Sequence, residues 1–79
     1  MLFFKIHLSV HDPLAPPNTI SSVQIIVGAK DLNTACDIAK RYWEERNCSV
    51  IDIIARVEIL PSAVVCEKAF LIVIFFDFI

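Results

Sequence analysis

Glycine occurs once in this 79-residue chain. A phosphate cradle built from backbone N–H groups needs several glycines for close approach, so that kind of nucleotide site is not expected. A single glycine also argues against a loop-rich or disordered chain. Cysteine is scarce and odd in number: Cys36, Cys48 and Cys66, with no pair at CxxC spacing. Neither a disulfide framework nor a zinc site is expected from that count. Buried reduced thiols in a reducing compartment are the expectation, with one reactive thiol as the alternative. A basic surface is missing too. Seven Lys and Arg against nine Asp and Glu leave a formal net charge of −2. Nucleic acid is therefore not an expected partner.

Catalytic motifs are equally sparse. No GxSxG and no HExxH occurs, and a chain this small has little room for a pocket beside its core. No enzymatic activity, cofactor or small-molecule substrate is expected. The opening "MLFFKIHLSV" lacks a basic leader ahead of a long apolar stretch and a small-residue cleavage site, so no targeting segment is expected. The greasiest run, "AFLIVIFFDFI", has eleven residues with Asp77 inside it. A membrane-spanning helix needs about 20, and Phe, Ile and Val favour strands. The expectations are no membrane segment and a cytoplasmic location.

What is present is apolar side chain. The chain is 57% hydrophobic and 20% charged. Its length predicts one domain, 1–79, which would bury only about 60% of the surface its unfolded form exposes. Proteins of this size often gain stability by associating.

Alternation predicts a first strand in "LFFKIHLSV", with Leu2, Phe4, Ile6, Leu8 and Val10 on one face and Phe3, Lys5, His7 and Ser9 on the other. "HDPLAPPNT" has three prolines in nine residues and reads as an exposed loop, because each proline removes a donor and fixes φ. "ISSVQIIVGA" is a second strand, with Val23, Ile25 and Val27 opposed to Gln24 and Ile26. The period then becomes helical. Leu32, Ala35, Cys36, Ala39, Tyr42 and Trp43 fall on one face, and Asn33, Thr34, Asp37, Lys40, Arg41, Glu44 and Glu45 on the other. Asp31 suits the N-cap, Asn47 suits a left-handed ending, and Asp37 and Arg41 are spaced for an i, i+4 ion pair. "CSVIDIIARVEIL" returns to period two. Ile51, Ile53, Ala55, Val57 and Ile59 point one way, and Val50, Asp52, Ile54, Arg56, Glu58 and Leu60 the other. Pro61 and Ser62 break it, and a last strand is expected from about Val64 to Phe76, with an irregularity at Glu67 and Lys68.

The order β-β-α-β-β predicts an α+β fold: a single four-stranded, mostly antiparallel sheet with one helix packed on one face. The opposite face would carry Lys5, His7, Gln24, Asp52, Arg56 and Glu58, with Phe3, Ile26, Val50 and Ile54 among them. The last strand is apolar on both sides, the pattern of a strand buried on both sides. Its outer face would meet a second copy of the chain or another protein.

Candidate chemistry is limited. His7 and His11 lie about 13 Å apart on a straight strand, too far to share a metal ion, unless the loop folds back. Asp52 and Glu58 lie about 20 Å apart on one strand and cannot act on one bond. A cross-strand carboxylate pair involving Glu67 or Asp77 is the alternative to a solvated Asp52, Arg56 and Glu58 stripe with cross-strand salt bridges. Tyr42 and Trp43 are either core or an interface anchor, with Trp43 read as core. Phe3 beside Lys5 and His7 could stack a base, but lacks a basic surround.

The stretch "SVQIIVGAKDLNTACDIAKRYWEERNCSVIDIIARVEI", about half the chain, runs strand, "A-x-D-L-x-x-A-x-x-x-A", strand. It resembles small phage and mobile-element proteins of β-β-α-β-β build, anti-CRISPR proteins among them. The matching positions, Ala29, Asp31, Leu32, Ala35 and Ala39, are helix-start and core positions, so no functional residue is carried over. What the resemblance implies is a non-enzymatic protein that inhibits a larger host complex by occlusion. The partner-binding residues expected here are Lys5, His7, His11, Asp52, Arg56 and Glu58, with the loop 11–18. The alternative is a homodimeric assembly subunit joined through the back of the sheet and the C-terminal strand. A small-ligand or nucleic-acid module is the third reading.

Overall fold

A computed structural model of the chain describes residues 2–17 and 19–62, and the backbone of 72–75. The elements are β1 (Leu2–His11), β2 (Ser21–Ala29), α1 (Leu32–Glu44), β3 (Ser49–Ile59) and β4 (Ile72–Phe75). The fold is α+β, with one helix against an antiparallel sheet ordered β3-β1-β2. The long final strand expected over 64–76 is not seen at that length. Of it, Ile72–Phe75 pair in parallel register with Ile25 to Gly28 of β2, and the other expected residues, Glu67, Lys68 and Cys66 among them, lie outside the described ones.

β1 takes the central place because its alternation is strict. Phe4, Ile6, Leu8 and Val10 are all buried, while Phe3, Lys5, His7 and Ser9 between them are half-buried. The antiparallel register sets Phe4 opposite Val27, Ile6 opposite Ile25 and Leu8 opposite Val23. Directly opposed residues share a face, so these side chains form one apolar surface. α1 covers it with Ala35, Cys36, Ile38 and Ala39, and Leu32, Tyr42, Trp43, Val50 and Ile53 pack at its margin. Ile38 joins this core although the face read from spacing omits it. Small residues at 35, 36 and 39 let the helix approach the sheet closely, and burial of the larger Ile and Leu side chains stabilises by roughly 1.5–3 kcal/mol each.

Both helix ends are built as expected. The Asp31 carboxylate accepts from the Thr34 N–H at 2.7 Å. At the other end Asn47 has φ 62°, the left-handed conformation that asparagine tolerates. Its N–H donates to the Glu44 carbonyl at 3.0 Å and that of Cys48 to the Trp43 carbonyl at 3.1 Å, the paired bonds of a Schellman ending. Asp37 and Arg41 are both exposed and make no ion pair among the described residues.

The proline-rich loop is stitched rather than slack. Asp12 accepts from the Leu14 N–H through its side chain and from the Ala15 N–H through its carbonyl, both at 2.9 Å. A second turn joins the Thr19 N–H to the Pro16 carbonyl at 3.2 Å. Asn18, part of the expected binding loop, lies outside the described residues.

Candidate functional site

β3 is where the sequence reading and the structure part. Its pairing with β1 contains two irregularities. From Phe3 opposite Ile59 to His7 opposite Ala55 the ladder is regular. Leu8 then faces Ile53, leaving Ile54 as an extra residue. Ser9 faces Asp52 and Val10 faces Val50, leaving Ile51 as another. Each extra residue is a β-bulge, and each bulge reverses the alternation.

The consequence is a division of the expected site. Lys5 and His7 lie on the sheet face away from the helix, as expected, and Asp52 joins them opposite Ser9. Arg56 faces Ile6 and Glu58 faces Phe4, so both stand on the helix side. The single face expected to hold Lys5, His7, Gln24, Asp52, Arg56 and Glu58 together does not exist. Val50 is on the helix side as well, packed against the core beside Val10. The expected cross-strand salt bridges are also missing: Asp52, Arg56 and Glu58 make no ion pair among the described residues. The physical reason lies in their neighbours. Arg56 and Glu58 oppose buried isoleucine and phenylalanine, and Asp52 opposes serine.

The two histidines do structural work. The His7 Nε2 lies 3.1 Å from the Ser22 hydroxyl and 3.5 Å from the Gln24 amide nitrogen. His11, at the end of β1, donates from Nδ1 to the Thr19 carbonyl at 2.8 Å, which closes the base of the loop. Among the described residues no group of three His, Cys, Asp or Glu is placed to hold a metal ion. Nor is any described helix long and apolar enough to cross a membrane.

At the helix end, the Arg46 guanidinium lies 3.5 Å over the Tyr42 ring and also donates to the Tyr42 carbonyl at 3.0 Å. Tyr42 meets Trp43 edge-on, with centroids 5.1 Å apart. Both rings pack at the core margin. The indole N–H of Trp43 is buried without a partner among the described residues. Cys36 is buried and Cys48 half-buried, both as free thiols.

Exposed large apolar side chains are most frequent along β3, although Leu2, Leu14 and Ile20 are exposed as well. Ile51, Ile54 and Val57 are 53%, 54% and 56% exposed, and Leu60 just beyond is 72% exposed. Asp52, Arg56 and Glu58 are interleaved with them. A groove of ≈ 370 Å³ runs between this strand and α1, lined by Lys40, Val50, Ile51, Asp52, Ile53 and Arg56. Sequence reasoning placed Ile51 and Val57 inward with Ile53, and Ile54 and Leu60 on the opposite face with Asp52, because nothing in the residue types marks Ile51 and Ile54 as bulged. No family model, curated protein or solved structure matches the chain.

Proposed function

We propose that this chain is a small non-enzymatic protein-binding domain whose contact surface is the β3 edge. The observation that supports it is the exposure of Ile51, Ile54, Val57 and Leu60, with charges between them that make no ion pair among the described residues. Exposed apolar side chains concentrated on one edge strand are a common feature of interaction sites. An edge strand adds main-chain donors and acceptors to the side-chain contacts, the mode in which an extended partner segment joins a sheet. The flanking charges then set orientation and exclude wrong partners.

Within this reading, Arg56, Glu58 and Asp52 are the polar contacts, and Leu14 at the tip of the stitched loop, 93% exposed, is a second contact. Lys5, His7 and His11 are supporting residues rather than the centre of the site. The inhibitor version, in which the partner is a larger host complex blocked by occlusion, is carried by the resemblance to anti-CRISPR-type proteins.

The test is comparative capture from host lysate with the wild-type chain, Ile54→Asp, and a double Arg56→Glu, Glu58→Arg variant. The expected result is a partner recovered at fixed stoichiometry by wild type and reduced at least about tenfold by either variant, as for truncation of an interface anchor. Circular dichroism should be unchanged, because all three positions are exposed. Equal recovery by all three would place binding elsewhere and overturn the assignment to this edge.

A further inference from the structure

The regular part of β3 is bounded on both sides. The bulge at Ile54 ends it before residue 55, and Pro61, which has no N–H to donate, closes it after Leu60. Between those limits the strand's last five residues, 55–59, read Ala, Arg, Val, Glu, Ile. Run antiparallel against itself about Val57, this segment is self-complementary. Ala55 meets Ile59 of the second copy, Arg56 meets Glu58, and Val57 meets Val57. We infer that the β3 edge pairs with the β3 edge of a second copy, antiparallel and centred on Val57, and that the alternating Arg56 and Glu58 select this register.

This inference rests on the reading of β3 as a binding edge and names its partner. Neither Arg56 nor Glu58 has an ion-pair partner among the described residues, so both charges are available across the two-fold axis. Moving the centre to residue 56 sets Arg56 against Arg56, and moving it to residue 58 sets Glu58 against Glu58. Like charges directly opposite destabilise a pair of strands, so both neighbouring registers are disfavoured. Opposed residues share a face, so the two helices lie on one side of the joined sheet. Val57, Ala55 and Ile59 then form a continuous stripe on the other side. Five residues make a contact well under standard interface size, so the pairing is weak, with half-association expected at roughly 0.1 mM.

The experiment is sedimentation equilibrium of the full chain from roughly 0.01 to 1 mM. The wild-type chain is expected to shift from monomer to dimer across that range. Arg56→Glu and Glu58→Arg, each alone, put like charges in both contacts and are expected to weaken dimerisation by at least about tenfold. An equimolar mixture of the two single variants should associate, since one chain then carries two negative and the other two positive side chains at these positions. The double variant restores opposite pairing and should dimerise like wild type, which also guards against misfolding of a single variant. A wild-type chain that stays monomeric to about 1 mM, or single variants that dimerise as well as wild type, would overturn the self-pairing. The two readings separate cleanly. Loss of capture without loss of dimerisation in the double variant retains the self-pairing and a second partner alike, whereas a monomeric chain that still captures its partner retains only the binding edge.

Discussion

β2 and β3 are two strands of similar length, 9 and 11 residues, and both are rich in Val and Ile. Five successive residues of β2, Ile25 to Ala29, are buried, whereas no residue of β3 is. Ile25, Ile26 and Val27 have no exposed surface, while Ile51, Ile54 and Val57 expose more than half of theirs. The difference comes from position, not composition. β2 lies between β1 and β4, and β3 has β1 on one side alone among the described residues. The bulges add to this. They turn Ile51 and Ile54 out of the ladder and place Arg56 and Glu58 over the helix side, beyond the closely packed core. Twisting an edge in this way limits how much of it another strand can join. What remains is a short regular stretch in which Arg56 and Glu58 alternate with apolar side chains.

Deletions should separate the two strands most sharply. Removing Ile26 slips one half of β2 by one residue and sends its side chains to the wrong face. Neither Ile25 nor Val27 could then both keep their places, and the chain is expected not to fold. Removing Ile54 does something different. His7 opposite Ala55 and Leu8 opposite Ile53 become consecutive pairs, so both halves of β3 keep their faces. That deletion should leave a folded chain within about 1 kcal/mol of wild type, a surface-level effect. Urea unfolding followed by circular dichroism checks both. A folded Ile26 deletion, or an unfolded Ile54 deletion, would break the contrast drawn between a specified central strand and a tolerant edge.

Truncation gives the same contrast at smaller scale. Ile25→Ala removes a fully buried side chain and should cost about 2–5 kcal/mol. For a domain of this length, with roughly a tenth of a kcal/mol per residue in hand, that loss is a large share of the total. Ile54→Ala removes a side chain that is more than half exposed and should stay within about 0.5 kcal/mol. Urea midpoints of the two variants are the measurement. Equal losses would mean that Ile54 is covered in solution, which is the outcome expected if a partner or second copy already occupies the edge.

These contrasts also show where the sequence could be read. The alternation of β1, the helix from Leu32 with its Asp31 cap, and the left-handed Asn47 were all legible, because each follows from local spacing or backbone preference. The bulges were not. Ile51 and Ile54 are as strand-like as Ile53, and only pairing with β1 shows that two of the three are extra. One residue's uncertainty in phase was enough to put Arg56 and Glu58 on the wrong face. Val57 and Ala55 were assigned with Ile53, from which the Ile54 bulge separates them. Strand order was equally hidden: nothing in Ile72–Phe75 distinguishes pairing with β2 from pairing with β3. The candidate site was therefore legible as a set of residues and illegible as a surface.

The smallest expected effect lies between the two strands, where Asp31 starts the helix that follows β2. Its carboxyl is held below its ordinary value of 3.8 by the hydrogen bond from the Thr34 backbone N–H, then by Thr34's side chain, with Lys30 adding a weaker attraction; the little burial it has acts in the opposite sense. A depressed carboxyl pKa means that the unfolded chain binds the proton first. The contribution is therefore fully present above the ordinary value and is lost as pH falls through the lower folded value. Asp31→Asn keeps a side-chain oxygen for the cap but removes the charge. Wild type should melt slightly higher than this variant at about pH 6.5, and the gap should narrow as pH falls below the ordinary carboxyl value. Other carboxylates titrate in the same range, so the difference between the two melting temperatures is the readout. A gap that stays constant would show that the charge contributes nothing to the cap. It would also leave the contrast between β2 and β3 untouched, because the helix covers the buried strand and the margin of the exposed one alike.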